Sequence, residues 1–542
     1  MKKHYDVIIC GGGLAGLTTA RQLKRRLSQL SVCVLERLGQ APPEGTFKVG
    51  ESCVEGSTHW LEKTLGLKEY LDERHLKKFG LRFFGAGGQR PFEERLELGP
   101  VDFPPVDSVQ LDRGRLENDL RRMIINDGCE VRSGCRVTEL NLDGPDVHHV
   151  KCTNIKNGDV FALTCRWLID ATGRQRMIAK ELGHKKRSTH RASASWFRVD
   201  GRLTVDALVP SSDQEWHGRS LRDRWFSTNH LFGHGYWVWL IPLSSNKTSI
   251  GIVADQNIHP IRSRSTLSGA LEFLSEYEPV LEKKIREHKV LDFKLVKHFA
   301  HTSEQVFSSD RWACVGEAAA FPDPLYSIGS DLIAWASSSV CTLIEHDLSG
   351  KLTTELVSLY DRVFREQNDW VTGWMRDMYP TYGNDGVLLP KLLWDGLSYF
   401  MAPVRILQHE FLRNPKAIER YDTTMQRQYE LDKRVQKMFR DWNATGLRLT
   451  AHRGHYPPGF FFPSMAKLAD IEASFIKGVS FLNELPGYID LMEQLANALG
   501  DIGHSIYGVK NPFEEAVAPV RDEISAYLHA AGIFNATLEK TA

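Results

Sequence analysis

Charge of one sign does not dominate this sequence: Lys+Arg and Asp+Glu each number 68. The net charge therefore carries no argument for a nucleic-acid partner or a membrane surface. Cysteine is scarce and poorly arranged for cross-linking. There are 9, an odd number, all between Cys10 and Cys341, and no two stand at Cys-x-x-Cys spacing. Several fall inside strand-like runs such as Val32-Cys33-Val34-Leu35. They read as small buried hydrophobes in a reducing compartment, not as a disulfide frame or a zinc centre, and no metal is expected. Long hydrophobic runs are missing too. None reaches the ~18 to 20 residues of a membrane span, and a strand begins too close to Met1 to leave room for a signal peptide. Internal repeats and low-complexity tracts are absent. These absences lead to the expectation of a soluble, cytoplasmic protein without nucleic-acid or membrane partners.

What is present begins at the N-terminus. With 542 residues and 42% hydrophobic content, the chain can build two or three domains with sizeable cores. Tyr5-Asp6-Val7-Ile8-Ile9-Cys10 is a near-continuous apolar run, as expected of a parallel strand buried on both faces. It leads into Gly11-Gly12-Gly13-Leu14-Ala15-Gly16 and then a helical stretch from Leu17 to Leu27. This is Gly-x-Gly-x-x-Gly in its required setting of strand, turn and helix. Gly11 permits the tight turn, Gly13 lets a pyrophosphate approach the backbone beside Ala15, and Gly16 lets helix and strand pack closely. The helix start offers N–H groups and a positive dipole end to the phosphates. Glu36, followed by Arg37, ends the next strand and is placed for the adenosine ribose hydroxyls. A dinucleotide site is expected. No second such motif follows a strand downstream, and Gly85-Ala86-Gly87-Gly88 reads as a plain loop, so no separate nicotinamide domain is expected.

Four further stretches resemble the motifs of FAD-dependent hydroxylases and halogenases, in the same order. Leu111-Asp112-Arg113-Gly114-Arg115-Leu116 resembles the segment whose arginine reaches the flavin phosphates, which makes Arg113 the candidate. Val137, in Cys135-Arg136-Val137-Thr138, falls where the adenine-contacting strand would lie. Asp170-Ala171-Thr172-Gly173 matches the second glycine turn, implying cofactor contacts for Asp170 and Gly173. Gly316-Glu317-Ala318-Ala319 resembles the third motif, with Glu317 in place of the usual aspartate that holds the ribityl chain. The cofactor implied is FAD. Gly235-Tyr236-Trp237-Val238-Trp239-Leu240-Ile241-Pro242 then carries Trp-x-Trp-x-Ile-Pro. Two indoles at i, i+2 share one face of a strand, and the pattern resembles the signature of flavin-dependent halogenases, most closely the phenol and pyrrole branch of this tryptophan-halogenase-like family.

The resemblance implies a chemistry. Phe321-Pro322-Asp323-Pro324-Leu325-Tyr326-Ser327-Ile328-Gly329 corresponds to the family loop ending in Ser-x-Gly, so that the amides of Ile328 and Gly329 would hold a halide, chloride or bromide. Exposed amides at a helix start form an anion site without side-chain charge. Gly329 also counts among the flavin contacts. Tyr326 stands where tryptophan-specific members have a glutamate, which tilts the substrate toward a phenol or pyrrole. Asp331 departs from the pattern: a carboxylate two residues beyond the halide amides repels an anion unless it faces away or serves the substrate. Leu76-Lys77-Lys78-Phe79-Gly80-Leu81-Arg82-Phe83, after Val49-Gly50-Glu51-Ser52, carries the family Lys-x-Gly-x-x-Phe and assigns the catalytic lysine to Lys78, with Lys77 its neighbour. A partly desolvated lysine can hold hypohalous acid or become a transient haloamine. Trp237 and Trp239 would wall the tunnel to it.

The fold class expected is an α/β flavoprotein monooxygenase-like architecture: a Rossmann-type FAD-binding domain, an antiparallel substrate sheet and a helical C-terminal region. Residues 1–189 and 296–345 would form the FAD-binding part, 190–295 the sheet and 346–542 the helical region, including runs such as Ile471 to Leu482. Tyr456-Pro457-Pro458-Gly459-Phe460-Phe461-Phe462-Pro463 reads as an apolar loop that could lid the pocket. The function implied is halogenation of an electron-rich aromatic, free or carrier-tethered, with reduced FAD from a separate flavin reductase. A monooxygenase or dehydrogenase of the same fold that uses no halide, and a flavin-binding protein without turnover, remain as alternatives.

Overall fold

β1 (His4–Cys10), α1 (Leu14–Arg26) and β2 (Val32–Glu36) open the chain in the computed structural model as one strand, helix, strand unit. The structure describes residues 2–41, 43–44, 48, 50–85, 87–142, 147–451, 455–456, 481–513, 518–530 and 538–540. The apolar run of β1 is explained by its place in the sheet. It lies between β2 and the strand Val160–Asp170, parallel to both, and Val7 to Cys10 are buried. The full order is Glu130–Ser133, β2, β1, Val160–Asp170, His148–Asn154, Cys135–Asn141. The long central strand splits one edge between two neighbours. Residues 160–165 pair antiparallel with His148–Asn154, whereas 168–170 pair parallel with Trp312–Cys314. Because β1, Val160–Asp170 and Trp312–Cys314 run parallel, the three glycine turns that follow them emerge at one carboxyl edge. That edge is where open α/β sheets bind ligands.

A second sheet, of eight strands, runs in the order Lys294–Val296, Ala192–Asp200, Lys247–Asp255, Tyr236–Leu243, Thr228–Gly233, Leu81–Phe84, Glu97–Leu98, His455–Tyr456. It is antiparallel across 192–255. Leu81–Phe84, from within the span 1–189, adds a strand parallel to Thr228–Gly233. In the hairpin 228–243, Phe232 faces Trp237 and His230 faces Trp239 across the ladder. Alternation then separates the two faces. Tyr236, Val238 and Leu240 pack into one core with Phe197 and Ile250, while Trp237, Trp239 and Ile241 join the core shared with the first sheet.

From Gly329 onward the described chain is mostly helical, with helices Gly329–Leu348, Thr354–Gly373, Asp385–Met401, Pro415–Ala444 and Phe481–Tyr507. Trp370, Trp374, Trp394 and Trp442 are buried in the main core, so these helices pack as a layer on the sheets. The lid reading of 456–463 lies outside the described residues, save for Tyr456 in its two-residue strand, as does the helical reading of 471–482 except for Phe481 and Leu482. The segment Leu325–Leu348 departs from the expectation on hydrophobic runs: its 24 residues contain a window with a mean hydropathy of 1.2, long and apolar enough to match a membrane span by length and composition. Polar residues scattered along it hide this in the sequence. Of that apolar window 83% is buried within the protein, as in a core helix.

Candidate functional site

The three glycine turns surround a cavity of about 800 Å³ that extends from the carboxyl edge of the first sheet to the indole face of the second. Its lining includes Gly11, Gly13, Ala15, Glu36 and Arg37. Each glycine of the first turn has its own reason. Gly11 adopts φ +117°, and a Cβ there would stand 2.2 Å from the Ala171 carbonyl oxygen. A Cβ on Gly16 would meet the Gly11 carbonyl oxygen at 1.9 Å, so helix and strand touch there. A Cβ on Gly13 would meet nothing within 4 Å except the Lys48 ammonium at 3.9 Å. That open space is what a pyrophosphate needs, and Gly13 caps α1 without any side-chain bond to its amides. The residues present therefore fit a dinucleotide. Glu36 accepts from the Gly12 N–H through Oε2 at 2.8 Å and from the Leu38 N–H through Oε1 at 2.7 Å.

Cations gather beside this turn. Arg113, at the start of the helix Arg113–Asn126, donates to Glu117 at 2.8 Å and to the Gly50 carbonyl at 3.3 Å. Lys48 pairs with the same Glu117. Lys48 was not singled out in the sequence: the spacing of Glu117 one helical turn after Arg113 signals that pair, but nothing local signals Lys48, 69 positions from Glu117. Val137 lies in the strand Cys135–Asn141 and lines the cavity, as do Gly173 and Glu317. Burial raises the pKa of Glu317 against the pull of Arg174, Arg113 and Lys48. Asp170 supports the second glycine turn. It does not line the cavity; its carboxylate accepts from the Thr172 N–H and hydroxyl at 2.9 and 2.6 Å and from the Ile178 N–H at 2.9 Å. Both oxygens are committed to shaping the Thr172-Gly173 turn, so Asp170 acts through the loop.

At the far end, the loop before the helix Gly329–Leu348 is strained. Tyr326 and Ser327 both adopt left-handed backbone, at φ +65° and +61°. Such residues persist only where surroundings over-determine them, and here the Tyr326 hydroxyl donates to Asp395 at 2.6 Å, itself ion-paired with buried Lys391. Tyr326 thus points into the helical layer. Ser327, Gly329 and Ser330 line the cavity, whereas the Ile328 side chain is buried behind it. The first-turn amides of Ile328 and Gly329 lack helical partners by position. Asp331 faces away. It accepts from the Ser57 N–H at 2.7 Å and the Tyr399 hydroxyl at 2.8 Å. Burial pushes its pKa up to about 6.

Lys77 and Lys78 part company because adjacent residues of extended chain point oppositely. The Lys77 side chain is 54% exposed and pairs with Asp107 at 2.8 Å. Lys78 is 1% exposed, and its ammonium donates to the Ser52 hydroxyl and the Cys53 carbonyl, both at 2.9 Å. Burial brings its pKa down to about 8, against the opposing pull of Glu55, Cys53 and Asp331. Ser52 lines the cavity and contacts the hydroxyls of Thr228 at 2.8 Å and Ser327 at 3.0 Å, which leaves Lys78 one hydrogen bond behind the wall. Trp237 and Trp239 form that wall's aromatic part, 5.7 Å apart by ring centroid. The Trp237 N–H donates to Tyr379 at 2.9 Å, and Tyr379 donates to Asp323 at 2.7 Å, which also meets His190 at 2.6 Å. His230 also lines the cavity and was missed, although the Gly-His-Gly turn after Phe232 already sets it opposite Trp239.

Comparison with known proteins follows the same lines. The FAD binding domain family model matches residues 4–367. The flavin-dependent halogenase chlA of Dictyostelium discoideum is 28% identical over 427 residues, covering 73% of this chain and 70% of the relative. A 1H-pyrrole-2-carbonyl-(peptidyl-carrier protein) brominase of Pseudoalteromonas luteoviolacea is 26% identical over 336 residues, covering 60% of this chain and 74% of its own. The crystal structure of halogenase PltM superposes with a TM-score of 0.67 at 19% identity, over 90% of this chain and 98% of that one, which is a likeness of fold.

Proposed function

The chain belongs to the FAD binding domain family, and from that premise we propose that it is a flavin-dependent halogenase acting on an electron-rich aromatic of the phenol or pyrrole type. Reduced FAD, when bound, supplies the electrons that activate dioxygen toward halide. The first glycine turn, with Arg113 and Lys48, binds the phosphates, and Glu36 takes the ribose. The Ile328 and Gly329 amides hold chloride or bromide. Trp237 and Trp239 keep water from the passage between halide and substrate. Lys78 receives hypohalous acid, by hydrogen bond or as a haloamine, and delivers the halogen to the ring; the ring loses a proton and the oxygen leaves as water. A separate reductase supplies the reduced flavin.

The observation that carries this reading is Lys78: a buried amine, with a pKa brought near 8, one hydrogen bond from an aromatic-walled cavity. Burying an ammonium costs several kcal/mol, and the Ser52 and Cys53 oxygens to which Lys78 donates carry no charge to offset it. The bonding of Asp331 to Ser57 and Tyr399 supports halide use over a halide-free relative, because it engages the carboxylate away from the proposed halide amides. The test is product mass with FAD, dioxygen, a supplied reductase and a panel of phenols, indoles and pyrroles, with and without chloride or bromide. Halide-dependent gain of halogen mass is expected. A hydroxylated or dehydrogenated product indifferent to halide would replace this reading with the monooxygenase or dehydrogenase, and absence of dioxygen consumption would leave a flavin-binding protein without turnover.

A further inference from the structure

We propose that His230 is a specificity-determining residue that accepts a hydrogen bond from the O–H or N–H of the aromatic substrate, so that this site selects rings bearing such a donor over their methylated counterparts. The inference rests on the halogenase reading for its substrate class, but its geometry is independent of turnover.

Four observations carry it. His230 lies on the strand Thr228–Gly233, 1% exposed, and is among the residues that line the cavity. Its Nδ1 stands 3.1 Å from the Arg82 carbonyl oxygen. A carbonyl can only accept, so Nδ1 carries the hydrogen and Nε2 is the lone-pair nitrogen. The ring also stays neutral: burial pushes its pKa down to about 3, and the Lys78 charge adds to this against the Arg82 and Thr228 backbone. An imidazole this weakly basic holds the proton of a phenol without removing it. Third, other polar side chains of the same wall are occupied. The Thr228 hydroxyl accepts from Gln110 at 2.8 Å and meets Ser52, which is also bonded to Lys78 and Ser327. Fourth, the imidazole is clamped by aromatic neighbours, with ring centroids 4.9 Å from Phe83 and 5.5 Å from Trp237, so its plane and the direction of Nε2 are fixed. A fixed acceptor loses little conformational entropy when a donor in the cavity meets it.

The selection has a chemical use. Phenols and pyrroles react with electrophilic halogen because the O–H or N–H heteroatom feeds electrons into the ring. Accepting its hydrogen bond strengthens that donation and fixes the ring on the wall that also carries Thr228, two hydrogen bonds from Lys78. An analogue without the hydrogen leaves a buried acceptor unpaired, which is where hydrogen-bond discrimination is largest.

The experiment titrates phenol against anisole, and pyrrole against N-methylpyrrole, into the FAD-loaded full-length protein by calorimetry, for wild type, His230→Phe and His230→Gln. Wild type is expected to prefer the donor-bearing member of each pair by at least about 10-fold. His230→Phe keeps the ring and should bring the preference within about 2-fold at unchanged FAD content; His230→Gln, with an amide oxygen in reach, should keep part of it. Should His230→Phe fail to load FAD, His230→Leu carries the same comparison. Wild-type preference retained in the variant, or no preference in wild type, overturns the proposal. Product assays run in parallel keep the two readings apart: donor preference without halogenated product fails the halogenase and leaves the donor site, whereas halogenation without donor preference does the reverse.

Discussion

At the scale of single residues, the pair Lys77 and Lys78 is an internally controlled test. Lys78→Met should leave FAD binding intact, because Lys78 stands behind the Ser52 wall, away from the glycine turn. Halogenated product should fall on the order of 10²-fold or more, the usual cost of losing a positioned donor in a dry site. Lys77→Met should change little, since its side chain is exposed and engaged with Asp107. Product retained in Lys78→Met and lost in Lys77→Met would reverse the assignment. Stability against pH gives a second reading of the same residue. A lysine held at about 8 when folded and 10.5 when unfolded binds more protons in the unfolded chain between those values, so its contribution to stability rises with pH across that window. Below about 8 it opposes folding, and at about 1.4 kcal/mol per pH unit the burden is about 3 kcal/mol. Lys78→Met should therefore unfold at higher temperature than wild type near pH 7, with the gap narrowing above pH 8. A gap constant between pH 7 and 10.5 would mean that the amine is not desolvated.

At the scale of elements, the glycine turn separates fold from ligand. Gly13→Leu directs a side chain into open space at ordinary φ, so the protein should fold and lose its flavin. Gly11→Ala places a Cβ against the Ala171 carbonyl at φ +117°, so it should lower the melting temperature even without flavin. Full FAD occupancy in Gly13→Leu, or an unaltered melting temperature in Gly11→Ala, would count against these roles. The 321–329 loop is a different device. Its two left-handed residues are held from the helical layer through Tyr326 and Asp395, and its Asp323 reaches Tyr379 and so the Trp237 indole. Helices that carry no cofactor motif thereby set the shape of the loop proposed for halide.

At the scale of the whole molecule, the single complete Gly-x-Gly-x-x-Gly after a strand bears on how electrons arrive. A second nucleotide site would need its own turn and helix start. The purified protein with FAD should accordingly oxidise NADH or NADPH at a small fraction of the rate reached with an added flavin reductase. Steady oxidation at a comparable rate by the protein alone would remove the partner from the scheme. The two sheets and the helical layer share one core, with Trp237 and Trp239 inside it, so the cavity walls come from segments more than 200 residues apart in sequence.

The sequence by itself determined what short-range geometry decides. Glycines at 11, 13 and 16 can serve only a tight turn, an open approach and a close packing, because those needs are set within a few residues. Alternation likewise put Trp237 and Trp239 on one face and split Lys77 from Lys78. Tertiary structure decided which way the longer-range groups face. Asp331, suspect beside a halide, is drawn to the Ser57 amide and Tyr399, residues 274 and 68 positions distant. Asp170, matched to a cofactor motif, spends its carboxylate on its own turn. Lys48 carries no motif and pairs with Glu117, 69 positions distant, and His230, placed by its local hairpin, bonds to the Arg82 carbonyl, 148 positions distant. A carboxylate or imidazole bonds to whichever partner the fold brings within about 3 Å, and that partner is chosen by strand order and helix packing across hundreds of residues, which no local pattern encodes.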